Sequence, residues 1–170
     1  MEPHSRQASS HQEAETHLRV IIMDPAWRCF VPRVDTLVSR VARVAGLAAP
    51  QWAPMGVSVV LAGDRLVHGL NARHRGRNKP TNVLTYEHPA PELVLALGVI
   101  RREAAAAGRP VPHHLAHLVV HGALHLLGFE HEHPGDARRM EMAESRLLHQ
   151  LGVPNPWKSA RRADAAGARP

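Results

Sequence analysis

The sequence predicts one α/β (α+β) domain, a small mixed four-stranded sheet covered by about five helices. Three observations predict it. Short β-branched runs closed by turn residues alternate with stretches whose apolar residues recur every three or four positions. The chain has 170 residues, enough for one domain and tight for two. At 44% hydrophobic residues it carries enough apolar material for a single core.

The elements follow in chain order. Residues 1–17 are polar and aperiodic and read as a disordered N-terminal arm. Leu18-Arg19-Val20-Ile21-Ile22-Met23 is β-rich and stops at Asp24-Pro25, a strand followed by a turn. Val34, Leu37, Val38, Val41 and Val44 mark an amphipathic helix ended by Gly46. Val57 to Ala62 is a second strand, closed by Gly63-Asp64. Leu66, Val67 and Leu70 mark a short helix ending near Arg73. Asn82 to Tyr86 is a third strand. Leu93-Val94-Leu95 begins a fourth, which runs into an alanine-rich helix from Arg101 to Ala107. Pro112 fits the first turn of the next helix. That helix is apolar nearly all round (Leu115, Leu118, Val119, Leu124, Leu126, Leu127), so it should be buried, and Gly128 ends it. A last helix starts near Asp136, a residue suited to the N-cap, and turns Met140, Ala143, Leu147 and Leu151 inward. Residues 158–170 are small and basic and read as a flexible tail, which leaves 18–157 as the folded domain.

Composition narrows the function classes. No run of eighteen or more apolar residues is present, so no transmembrane helix is expected. The polar start of the chain does not read as a secretory signal. A single cysteine, Cys29, excludes an intrachain disulfide and cysteine-based zinc folds, and fits a reducing, cytoplasmic compartment. The net charge of +6 is compatible with a polyanionic partner. Aromatic residues make up only 4% of the chain, which argues against base stacking as the main mode of binding.

Histidine is the unusual residue. There are 14, and seven fall between His113 and His133. His121 and His125 are four apart on the buried helix, so both imidazoles lie on one face and can reach one metal ion. Gly128 then takes the left-handed conformation cheaply and turns the chain back. His131 can supply a third ligand from the other side. Three neutral imidazoles leave a tetrahedral ion one open position, the layout of a catalytic site. His117, one turn before His121, is a candidate for substrate contact or support of the ligands. His113, His114 and His133 read as surface residues. A zinc peptidase would place its general base directly after the first histidine, as H-E-x-x-H, and here that position is Gly122.

Three blocks resemble one family. His117 to His131 (HLVVHGALHLLGFEH) is similar to the signature H-G-x-L-H-L-x-G-x-D-H of the YbeY family, bacterial endoribonucleases of ribosomal RNA maturation. Leu70 to Tyr86 (LNARHRGRNKPTNVLTY) resembles that family's L-N-x-x-Y-R-x-x-D-K-P-T-D/N-V-L-S-F segment. Arg139 to Glu144 (RMEMAE) resembles its E-x-M-E-x-x-E helix. The sequence departs from the pattern in places. Glu130 replaces an aspartate, His74 stands where tyrosine is common, and Pro91-Glu92 replaces Gly-Asp, so that carboxylate survives one methylene longer. The resemblance implies a compact α/β fold and one zinc ion, or another divalent ion such as nickel, on His121, His125 and His131. It implies cleavage of single-stranded RNA in small-subunit rRNA end processing and ribosome quality control. Arg75 matches an arginine that the family places near the metal cleft.

The residues are consistent with that chemistry. Zinc activates water and polarises a phosphoryl oxygen. Arg75 has the planar fork that suits a phosphate and would hold developing negative charge. Arg73, Arg77 and Lys79 extend a basic segment that could follow an RNA backbone. The expected partners are single-stranded RNA, rRNA, the small ribosomal subunit and its assembly proteins, with no membrane and no DNA. Two other readings stay open on the sequence: a zinc peptidase drawing its base from elsewhere, such as Glu130, and a non-catalytic ribosome-assembly factor with a structural metal.

Overall fold

The computed structural model describes residues 17–75, 81–130 and 133–156, with Arg75 described by its backbone alone. Four strands form one mixed sheet, β1 (Leu18–Ile22), β2 (Val57–Ala62), β3 (Val83–Tyr86) and β4 (Glu92–Ala96), in the order β1-β2-β4-β3. β1, β2 and β4 run parallel, and β3 pairs antiparallel to β4 at the sheet edge. The helices are α1 (Trp27–Phe30), α2 (Val34–Val44), α3 (Asp64–Arg75), α4 (Leu97–Ala106), α5 (Val111–Leu126) and α6 (Pro134–Gln150), with a 3₁₀ turn at Pro50–Trp52. The expected α/β domain is present, with all four strands and all five expected helices. The terminal arms, apart from His17 at the first boundary, lie outside the described residues.

Burial explains why these segments are strands. All six residues of β2 are buried, because the central strand is covered on both faces, and it reads as an unbroken apolar run. β1, at the other edge, alternates half-buried and exposed. Alternate residues divide the core in two. Val57, Val59, Leu61, Leu93 and Leu95 join α2, α5 and α6 in the larger cluster. Val60, Ala62, Val94, Ala96 and Leu84 meet Val67 and Leu70 of α3 in the smaller one. The nearly all-apolar sequence of α5 follows from its position between the sheet, α2, α4 and α6.

Several boundaries differ from the sequence reading. α1 was not expected. It is one turn long and is held by Trp27, which is fully buried and donates its indole N–H to the Ala62 carbonyl at 3.1 Å. α4 starts at Leu97, four residues early, because its capping group comes from elsewhere in the chain. Asp64 Oδ1 accepts the Val99 N–H at 3.0 Å, and Asp64 Oδ2 pairs with Arg102 at 2.9 Å. Asp136 is not the N-cap of α6. His133 holds that position without a side-chain bond, and Asp136 lies in the first turn, paired with Arg139. His114 is buried, against the surface reading. Its Nε2 lies 2.8 Å from Glu103 Oε2, and the same carboxylate accepts Asn82 Nδ2–H at 3.0 Å.

Candidate metal centre

α5 carries His117, His121 and His125 along one face, as their spacing requires. The Nε2 atoms of His121 and His125 face one another at 3.1 Å, with ring centroids 4.7 Å apart and planes crossed at 80°. On the other side of His121, Nδ1 lies 2.6 Å from Glu144 Oε1. The second oxygen, Glu144 Oε2, lies 3.5 Å from His117 Nε2. One carboxylate from α6 therefore serves two imidazoles of α5.

Glu144 is 1% exposed. Burial alone would raise its carboxyl pKa, but hydrogen bonds from His117 and His121, and the positive charge of these rings once protonated in acid, outweigh it and bring the value to about 2. An ionised carboxylate only accepts hydrogen bonds, so the proton of His121 resides on Nδ1. A neutral His121 then presents its Nε2 lone pair toward His125. This is how metal-ligating histidines are commonly fixed, by donating the other ring N–H to a carboxylate. The spacing also fits a metal. Two nitrogens bound tetrahedrally at ~2.0–2.1 Å to one zinc lie about 3.3 Å apart. His121 and His125 could therefore hold two positions of one ion. Among the described residues, no group of three or more His, Cys, Asp or Glu forms a possible metal site.

The turn after α5 takes the expected form. Gly128 has φ +82°, its N–H bonds the His125 carbonyl at 2.9 Å, and the Phe129 N–H returns to the Leu124 carbonyl at 3.0 Å. The expected third ligand, His131, lies outside the described residues, as do Arg77 and Lys79. Arg75 ends α3, and Arg73, two residues before it, is exposed. Glu130 is exposed.

Gly122 has a packing role. A Cβ built there would approach Leu93 Cδ2 to 2.7 Å, so position 122 faces β4 and not the histidines. A glutamate at that position would enter the core instead of the site.

The sequence reading assigned Glu144 no role of its own, though a signal was present. Met140, Glu144 and Leu148 recur every four residues and are all buried on α6. A carboxylate within an apolar stripe requires polar or cationic partners.

Comparison with known proteins shows the family. The family model described as Endoribonuclease YbeY matches residues 30–152. An Endoribonuclease YbeY of Gluconobacter oxydans is 45% identical over 175 residues, covering 99% of each chain. One from Rhodopseudomonas palustris is 36% identical over 158 residues, covering 85% of this chain and 92% of its own. The solution structure of a Thermotoga maritima protein shares the fold, with a TM-score of 0.50 at 18% identity over 79% of this chain and 91% of that one. The matched span takes in α2 through α6 and with them every described histidine of the site, so the chain belongs to the YbeY family of endoribonucleases.

Proposed function

We propose that this protein is a metal-dependent endoribonuclease of single-stranded RNA, acting in the cytoplasm in small-subunit rRNA end processing and ribosome quality control. The supporting observation is the facing pair of Nε2 atoms on His121 and His125, with Glu144 fixing His121, in a chain of this family. His121, His125 and His131 hold one zinc-type ion. When bound, such an ion lowers the pKa of water toward ~7 and polarises a phosphoryl oxygen. Arg75 grips the scissile phosphate and holds its developing charge, while Arg73, Arg77 and Lys79 engage neighbouring phosphates. The carboxylate of Glu144 keeps His121 in the ligating tautomer. His117 shares that carboxylate, which suits a supporting role better than proton donation to a leaving group. Its partners are rRNA, the small ribosomal subunit and assembly proteins.

A peptidase would need a base other than position 122, which packs against Leu93, and Glu130, the residue the sequence offers for it, is exposed in the turn after α5. The test is metal analysis paired with cleavage of a single-stranded RNA, on wild type and His125→Ala purified identically. The wild type should carry about one ion per chain and cleave, and the variant should lose both. Normal metal content in the variant would remove His125 from the ligand set. Equal cleavage by both proteins would identify the activity as a contaminant.

A further inference from the structure

The face of the sheet opposite α5 is apolar except at one end. Its successive rows across β2, β4 and β3 can be read from the strand register. Ala62 pairs with Ala96, and Val60 pairs with Val94, which pairs with Leu84. All five are buried beneath α3. The last row changes character to Ser58, Glu92 and Tyr86. Above it, in place of a packed side chain, lies a cavity of about 300 Å³, roofed by Leu70 and His74 from the last turns of α3. His74 and Tyr86 form an edge-to-face pair with centroids 5.6 Å apart.

This cavity and Gly122 of α5, the residue after His121, lie over the same end of the sheet on opposite faces. Leu93, next to Glu92 and facing the other way, is the residue that Gly122 packs against, between His121 and His125. Leu93 pairs with Thr85, next to Tyr86 on the edge strand β3. An RNA chain would reach from one face to the other by crossing the edge strand near Tyr86.

We propose that the Ser58–Glu92–Tyr86 row beneath His74 is a nucleobase subsite that prefers guanine at a position flanking the scissile phosphate. The proposal rests on the endoribonuclease reading for its place in the reaction, but its chemistry is independent of it. Cavities of this size, largely apolar with a few polar groups, suit small planar ligands. Unpaired bases are recognised by stacking on aromatic rings and by hydrogen bonds along their pairing edge. His74, which is exposed, offers a ring face. The Glu92 carboxylate offers two acceptors and no donor. Guanine alone presents two adjacent N–H donors, N1 and N2, to such a group. Adenine and cytosine each set an acceptor beside their amino group, and uracil has a single N–H.

The test has two arms. Binding of the four nucleoside 5′-monophosphates is measured by chemical-shift titration on wild type, Glu92→Gln and His74→Ala. Cleavage is measured on single-stranded oligonucleotides that differ only in one base beside the cleaved bond. The wild type should favour the guanine nucleotide over the adenine one by roughly tenfold, the scale of a bidentate base contact. Glu92→Gln should shift the preference to adenine, because an amide offers one acceptor and one donor. His74→Ala should weaken all four alike. Equal binding of the four by wild type, or a guanine preference that survives Glu92→Gln, overturns the subsite. If Glu92→Gln fails to fold, the wild-type ratios and His74→Ala still decide. Guanine preference without RNA cleavage supports the subsite and removes the endoribonuclease reading. Cleavage indifferent to the flanking base does the reverse.

Discussion

At Glu144 a single carboxylate, removed from water, stays ionised because two imidazoles face it. Its pKa is depressed from 4.5 to about 2 in the folded protein. The sign follows from linkage. A depressed carboxyl stabilises the fold above its unfolded pKa, and that contribution is lost as pH falls through the folded one. Chelator-treated protein should therefore lose stability between about pH 4.5 and pH 2, read from urea midpoints across that range. Glu144→Gln should lose much less over the same interval. Parallel profiles would show that the acid sensitivity originates elsewhere. If His121 is a metal ligand, Glu144→Gln should also weaken metal affinity by roughly 10- to 100-fold, measured by competition with a chromophoric chelator. Arg75→Ala separates substrate handling from metal binding. It should leave metal content unchanged and lower kcat/KM for RNA by roughly a hundredfold, the scale of one lost transition-state donor. Unchanged cleavage would make that arginine a bystander.

At the scale of elements, two tertiary contacts set the position of the helices. Gly122 lets α5 approach β4 closely enough to seat against Leu93, a fully buried side chain that would have to shift to admit a Cβ. Gly122→Ala should introduce roughly 1–3 kcal/mol of overpacking. It also recovers about 1 kcal/mol of helix propensity, for a net loss near 1 kcal/mol in urea unfolding. A gain in stability would mean that α5 shifts freely. Asp64 caps α4 from the start of α3, so Asp64→Ala should cost about 1 kcal/mol, read the same way. These contacts also show what the sequence could reveal. The central strands, the histidine face of α5 and the stop at Gly128 were legible because each depends on local period or a local backbone requirement. The early start of α4 and the one-turn α1 were not, since the Asp64 cap and the Trp27 bond to Ala62 join residues about 35 positions apart. His114 was misread for the same reason. Nothing local pairs a histidine of α5 with Glu103 of α4. The role of Glu144 lay between these cases, visible as a charge in an apolar stripe but without its partners.

At the scale of the whole molecule, the question is where the net charge of +6 acts. Much of the positive charge lies far from the histidines along the chain, including Arg161, Arg162 and Arg169 near the C-terminus. Salt dependence can separate the two regions. A protein that neutralises Z phosphates of a single strand loses affinity with a log–log slope of about −0.7Z. If Arg73, Arg75, Arg77 and Lys79 each engage one phosphate, the slope for binding single-stranded RNA should be near −3. Arg73→Ala combined with Arg77→Ala should reduce its magnitude by roughly one and a half. Arg73 is exposed, so its replacement should leave thermal stability unchanged. The variant should also bind all RNA sequences more weakly by a similar factor, because phosphate contacts carry no base information. A wild-type slope near −3 that the double variant leaves intact would move the electrostatic contact away from the α3–β3 segment. Removing the three C-terminal arginines would then identify where it had gone.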